Sequence, residues 1–156
     1  MTGITKATEN KRLNLRNQKV NTAEMQKVNL KNVDLSGSQM VCADFSDADL
    51  SNSFLIEVSM QWAVMRRVNL SGSDLSGANF ENANFKDAVL TGANLTGAKL
   101  KGADFTSANL TGVKLDNADM EGVILEKTNL KGVSVIGVDL SKFNADCAID
   151  VCDLHF

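Results

Sequence analysis

The chain has 156 residues, of which 44% are hydrophobic and 22% charged; this fits one globular domain and excludes a mainly disordered chain. Its formal net charge is only −3, and no apolar run is long enough for a signal peptide or a membrane-spanning helix, so we predict a cytoplasmic protein without membrane contact. The three cysteines, Cys42, Cys147 and Cys152, do not pair evenly, so reduced thiols are expected.

Charge is unevenly spread along the chain. Residues 1–33 contain seven basic and two acidic side chains, a net charge of +5, whereas residues 34–65 contain five acidic side chains and no basic one. Such a step is either ordinary solvated surface, which is the more common case, or a surface that faces a charged partner. The sequence leaves both interpretations open.

One periodicity organises most of the chain. Residues 1–12 are polar and predict a short basic lead segment or N-terminal cap, but every fifth residue from Leu15 to Leu140 is apolar, 26 positions without an exception. An α-helix turns about 140° in five residues and would spread these side chains around its surface. A straight strand would place successive ones on opposite faces. A backbone that bends once per repeat brings them all to one axis, which predicts a solenoid over residues 13–140.

The other positions of the repeat agree with this geometry. A small or β-branched residue stands two places before most central residues, and Asp or Asn usually stands directly before them. Ten of the 11 glycines lie two places after a central residue. We expect the small residue to point inward, the Asp or Asn to bond to nearby backbone, and the glycine to occupy a recurrent turn.

The units ANFEN, ANFKD, ANLTG and ADMEG, from the stretch between Ala78 and Gly122, resemble the pentapeptide repeat family, whose unit is approximately A(D/N)LxX. This resemblance implies an all-β solenoid, a right-handed quadrilateral β-helix with four repeats per coil. The run of repeats then makes about six and a half coils, in which residues one coil apart stack. One interior column would contain Met25, Phe45, Met65, Phe85, Phe105 and Leu125. Methionines at central positions are expected to fill the core rather than to bind a ligand.

One coil, residues 51–70, keeps the inward pattern but breaks the outward one. Several large or basic side chains lie there at positions that the coil exposes: Phe54, Ile56, Trp62, Val64, Arg66 and Arg67. An apolar band beside arginine on a polar rod is typical of an interface with another protein or a second copy. The alternative is that the N-terminal segment folds back and covers this coil.

The five-residue pattern ends after Leu140. Between Leu140 and Leu154 the apolar residues recur at steps of three and four, which predicts a short amphipathic α-helix over residues 141–156 with Ser141 as its N-cap. We expect this helix to cap the open end of the last coil, because an uncovered edge invites stacking of one rod on the next. The alternative is that the helix, or the apolar coil, serves a homodimer, as C-terminal segments do in some relatives of the family.

Residues suited to catalysis or ligand binding are few. The only histidine is His155, which leaves no catalytic triad or Cys/His pair, and the cysteines are too few for a metal site. The glycines recur as solenoid turns and form no phosphate-binding loop. We therefore predict that the protein is not an enzyme and has no catalytic, cofactor or metal site.

Two functions remain. The first is a protein-binding or scaffold module whose rigid rod presents the coil of residues 51–70 to a protein partner or a second copy. The second is implied by the family resemblance: a mimic of duplex DNA that binds DNA gyrase or a related topoisomerase and protects it from inhibitors, without binding nucleic acid itself. Such a mimic needs a continuous acidic face, and here charges of both signs alternate, as at Lys86 and Asp87.

Overall fold

The computed structural model describes residues 12–139 and Ser141. Within residues 12–139 the chain forms stacked coils, and residues twenty apart pair in parallel β-bridges from Asn14↔Asp34 to Lys114↔Ser134. Each strand is a single bridging residue, and no longer strand and no α-helix occurs in this range. The stacked coil predicted from the five-residue run is therefore confirmed. The coil number and handedness stay predictions, and the C-terminal helix falls outside the described residues except for Ser141.

The bridges form four ladders, which are the four sides of the rod. We label them side A, side B, side C and side D, whose ladders begin at Asn14, Lys19, Glu24 and Asn29 respectively. Side A resumes at Asp34, one full coil after Asn14. Since five residues lead from one side to the next, two bridging residues that are ten apart lie on opposite sides.

Every backbone N–H in a typical repeat has a partner, which explains why this sequence accepts such tight bends. The bridging residue donates to the coil before it, and the central residue and the second turn residue donate to the coil after it. The small residue closes the preceding turn, and the first turn residue donates to the side chain of its own Asp or Asn. In repeat 73–77 the N–H groups of Ser73, Asp74, Leu75, Ser76 and Gly77 make these bonds at 3.1, 2.9, 2.7, 3.0 and 2.9 Å.

The Asp or Asn of the repeat has a defined role in this arrangement. Fifteen of these side chains accept the N–H two residues on, as Asp34 accepts that of Ser36 at 3.0 Å. The predicted bond to nearby backbone is thus confirmed. It satisfies a donor that makes no backbone hydrogen bond to a neighbouring coil.

Large central side chains and small neighbours fill the interior of the rod. Phe85 is completely buried, stacks on Phe105 with ring centroids 4.7 Å apart, and meets the edge of Phe80 at 5.1 Å. The predicted column through Phe85 and Phe105 is therefore confirmed. Inward serines are buried too, but they are satisfied, since the Ser53 hydroxyl donates to the Leu30 carbonyl at 3.0 Å.

The second turn residue has a positive φ, between 54° and 73°, in all 25 described turns. This is the left-handed region that glycine tolerates best. Between residues 17 and 67 only one of these eleven positions is glycine, whereas nine of the fourteen between residues 72 and 137 are glycine. The N-terminal half of the rod therefore carries side chains at its corners, and the C-terminal half has mostly bare ones. No helix among the described residues is long and apolar enough to cross a membrane.

Candidate protein-binding surface

The six residues predicted as an interface lie on one coil but do not form one face. Phe54 bridges on side A, whereas Val64 bridges on the opposite side C. Ile56 is at the corner between sides A and B, and Arg67 is at the corner between sides C and D. A flat partner surface cannot reach all of them at once. Trp62, Val64 and Arg66 alone alternate outward along side C, and we call these three residues the Trp62 surface.

Phe54 is partly covered by the chain itself. The guanidinium carbon of Arg12 lies 3.7 Å from the centroid of the Phe54 ring, a cation–π contact. The same guanidinium donates to the Asn52 carbonyl at 3.1 Å, which fixes its position. The cover that we considered as the alternative to an interface thus exists at Phe54 through Arg12, while residues 1–11 fall outside the described part of the chain.

Trp62 has no such cover from the residues that the structure describes. Its side chain is 61% exposed, more than that of any other large apolar residue described, and Val64 beside it is half-buried. The exposed Cys42 lies one coil below Trp62 and Asn82 one coil above. Arg66, also exposed, makes no ion pair within the described range. The Trp62 surface therefore combines an exposed aromatic ring with an unpaired positive charge.

Arg67, the sixth predicted residue, is engaged within the rod. Its guanidinium donates two hydrogen bonds to the Asp47 carboxylate one coil below, at 2.6 and 2.8 Å. The hydrogen bond from Arg67 lowers the pKa of Asp47, and the same bond raises the pKa of Arg67. Lys27, Asp47, Arg67 and Asp87 alternate in sign along this corner. The guanidinium of Arg67 therefore links two neighbouring coils and is less available to a partner than that of Arg66.

Backbone conformation at Trp62 is unfavourable for a tryptophan. Its φ is +61°, the left-handed region, which costs about 1–2 kcal/mol for an ordinary L-residue. Three of the four turns in its coil also lack the usual bond, because Phe54, Ser59 and Val64 stand where Asp or Asn would accept the N–H of the first turn residue. The side-chain oxygen of Gln61, next to Trp62, is buried without a partner in the described structure. Other non-glycine turn residues share this left-handed conformation, but only at Trp62 among the described turns does it fall on an exposed aromatic residue, which suggests a function other than folding.

The basic and acidic stretches of the chain meet in the rod, where their coils stack on each other. Arg16, in the basic stretch of residues 1–33, lies 3.8 Å from Asp34, in the acidic stretch of residues 34–65. Burial raises the pKa of Asp49, but hydrogen bonds from Ser51 lower it more, and the positive charge of Lys31 adds to this lowering, so the pKa stays below its ordinary value. Part of the charge step is therefore used in contacts between coils of the rod.

Acid should destabilise the rod, because five carboxyl groups have lowered pKa values. Partial burial opposes ionisation at four of them, but hydrogen bonds from the serine or threonine two residues on outweigh it; at Asp47 the Arg67 bond dominates. The five are Asp34, Asp44, Asp47, Asp49 and Asp104. A carboxyl whose pKa is lowered in the folded state stabilises it above the unfolded pKa of about 3.9, and loses this effect as the pH falls through the folded pKa.

We therefore expect a Tm that is nearly constant from pH 7 to 5 and falls below about pH 4. Thermal unfolding followed by circular dichroism at each pH measures this. Replacing Asp47 with Asn should remove part of the acid loss. A Tm that stays level or rises on acidification would contradict the assignment.

The groups considered for metal or catalytic chemistry are separated or lie outside the described range. No group of three or more His, Cys, Asp or Glu side chains in the described residues is placed to hold a metal ion. Cys42 is exposed at its corner. Cys147, Cys152 and His155 lie in the part of the chain that the structure does not describe.

The repeat of this chain matches a known family. The family model for pentapeptide repeats matches residues 43–82, 69–107 and 103–141, with eight copies, which together span more than half of the chain. No curated protein is significantly similar to the chain in sequence.

Solved structures that are similar to the chain include Rfr23, a pentapeptide repeat protein from the cyanobacterium Cyanothece 51142. It is 27% identical, with 80% of this chain and 88% of that chain covered and a TM-score of 0.57. A pentapeptide repeat protein from the Arabidopsis thaliana thylakoid lumen is 31% identical over 65% of this chain and 71% of its own, with a TM-score of 0.39. QnrB1, a plasmid-mediated fluoroquinolone resistance protein, is 20% identical over 88% of this chain and 76% of its own, with a TM-score of 0.42.

Proposed function

Since this chain belongs to the pentapeptide repeat family, we propose that it is a non-enzymatic protein-binding rod whose Trp62 surface contacts a protein partner. The observation that carries this proposal is the combination of exposure and left-handed backbone at Trp62. A single exposed apolar residue on a soluble protein needs no explanation. A tryptophan in a turn position where glycine is favoured does need one, because folding alone selects against it.

The chemistry of the Trp62 surface fits a binding role. Tryptophan and arginine are the residue types most enriched at the energetic centres of protein interfaces. Here Trp62, Val64 and Arg66 project from one extended segment, whose inward residues Ala63 and Met65 are buried. A partner therefore meets side chains on a backbone that is already ordered, which lowers the entropy lost on binding.

The distribution of corner side chains also favours the N-terminal half of the rod, which contains Trp62, as the half that binds a partner. Corner residues are the outermost points of each coil, and the N-terminal half has ten that are not glycine. Each of these substitutes for the residue that the turn prefers. A half of the rod that keeps such side chains at a cost in stability is the half expected to make contacts, while the glycine-rich half serves as a rigid support.

The test compares Trp62 with Phe54, which lies on the same coil but on the side away from side C. Both residues are large, aromatic and more than a third exposed. We expect Trp62→Ser to abolish capture of the partner that binds wild type, and Phe54→Ser to retain it. Sedimentation of the purified chain across a range of concentrations decides whether the partner is a second copy. Equal binding by both variants would rule out the Trp62 surface.

The DNA-mimic alternative has less support. Its target attracts phosphates, so a mimic needs an unbroken acidic side. Among the described residues no ladder has more than two acidic residues in succession, and side D has only Asp49. A gyrase supercoiling assay tests this alternative, and inhibition or drug protection at micromolar protein would favour it over the binding rod.

A further inference from the structure

The two ends of the described solenoid differ in how well their interior is covered. In the first coil Val20 is 40% exposed, and Leu15 and Met25 are only partly buried. In the last described coil the corresponding central residues Leu125, Leu130 and Val135 are buried. Among the described residues, the end of the rod with the more exposed interior is therefore the N-terminal one, formed by residues 12–31, which we call the first coil.

Backbone groups of the first coil are left unpaired on its outer side. In every inner coil the bridging residue donates its N–H to the coil before it, as Asp34 donates to Leu13 at 2.8 Å. The N–H groups of Asn14, Lys19, Glu24 and Asn29 find no acceptor among the described residues, and their carbonyls find no donor there. A row of free donors and acceptors is a template for adding another extended chain.

The sequence before the first coil does not continue the repeat. Counting back in fives from Leu15 gives Asn10 and Thr5, which are polar and cannot fill the interior as the other central residues do. Residues 1–11 also carry two lysines against one glutamate, so they would add positive charge to an end that is already positive. Residues 1–11 are thus poorly suited to continue the stack at this edge.

Charge indicates which kind of chain that is. The first coil has five basic side chains against the single acidic Glu24, a net charge of +4. Arg12 and Arg16 already contact Phe54 and Asp34, whereas Lys19, Lys27 and Lys31 make no ion pair among the described residues. Two copies that met through this edge would place two such layers together. The segment that pairs with the other side of the first coil, residues 33–53, carries four aspartates and no basic residue. Within the rod, the first coil therefore already pairs with an acidic segment.

We propose that the open edge of the first coil binds an acidic, extended segment of a partner protein, which adds to the stack by backbone pairing. This edge is separate from the Trp62 surface, so binding here does not depend on the function proposed above. Basic side chains around the edge select carboxylates and repel a second copy. The free donors and acceptors then hold the bound segment in the register of a coil.

Hydrogen exchange at the four free amides tests this proposal. The probe is a synthetic peptide of residues 33–53 with Cys42→Ser to prevent oxidation, and the control peptide has its four aspartates replaced by asparagine. In the full chain alone, the amides of Asn14, Lys19, Glu24 and Asn29 should exchange rapidly, while that of Asp34 is protected. The acidic peptide should slow the four amides at least tenfold, the control peptide much less, and Trp62→Ser should not change either result.

Several outcomes would overturn the proposal. Protection of the four amides in the free chain would mean that the N-terminal segment covers them. Protection that grows with protein concentration and without peptide would identify a second copy as the occupant. Equal protection by both peptides would show that charge does not select the partner. No protection at millimolar peptide would show that the edge does not bind an extended acidic segment.

Discussion

Replacing Phe85 with Ala is expected to lower the free energy of unfolding by about 3–5 kcal/mol. Phe85 is completely buried, stacks face to face on Phe105 and meets the edge of Phe80. Removing the ring loses its burial and leaves a cavity that neighbours on rigid coils cannot fill. The coils above and below depend on this contact, because each coil buries its apolar side chains only against its neighbours.

Urea unfolding of the variant and of a matched control measures this effect. Val89→Ala is the control, since Val89 bridges on the outside of side D and is 39% exposed. We expect the control to change the free energy of unfolding by less than about 1 kcal/mol. A similar small loss for Phe85→Ala would show that the ring does not lie in a packed interior.

Replacing Trp62 with Gly is expected to change the stability of the rod little but to weaken partner binding strongly. The change relieves about 1–2 kcal/mol of left-handed strain, and it loses contacts of the buried part of the side chain, worth about 2 kcal/mol. These effects oppose one another, so the free energy of unfolding should stay within about 1 kcal/mol of wild type. Affinity for the partner should fall roughly 30-fold or more, as for other central interface residues.

Trp62→Ala is the matched control for this prediction. Alanine loses the same contacts but keeps the strain at φ +61°, so it should be less stable than the glycine variant by about 1 kcal/mol. Both variants should lose binding alike. If the glycine variant binds as wild type does, the ring is not part of the interface, whatever its effect on stability.

Much of the fold could be predicted from the sequence because one repeat length governs it. The run from Leu15 to Leu140 determines the bend, and stacking at intervals of one coil places Phe85 on Phe105. The Asp or Asn before each central residue has the acceptor that the turn requires. Each of these features depends only on the repeat and on stacking at a fixed interval, so what predicts one repeat predicts the others.

The candidate surface was only partly predictable. The outward apolar residues of the coil predict one band that includes Phe54 and Val64, but ten residues are half a coil and place these two on opposite sides. Spacing alone could have revealed this separation. The same holds for Trp62, which occupies the position that is glycine in ten other turns and is therefore strained.

Other features could not be derived from the period. Arg12 reaches Phe54 across two coils, and its contact depends on the rotamer of a long side chain that no repeat specifies. The pair Arg67 and Asp47 follows from stacking, but only the structure shows that both carboxylate oxygens accept a hydrogen bond. Contacts outside the repeat decide which exposed residues stay available to a partner.

The central claim is that the rod binds a protein partner through an exposed tryptophan, and fluorescence quenching tests it directly. Trp62 is the only tryptophan in the chain, so its emission reports on this surface alone when a partner without tryptophan, or one with its tryptophans replaced, is used. The measurement is acrylamide quenching of Trp62 in the free chain and in the complex. We predict efficient quenching in the free chain, which bound partner largely prevents. Equal quenching in both states, with binding verified, would contradict the claim.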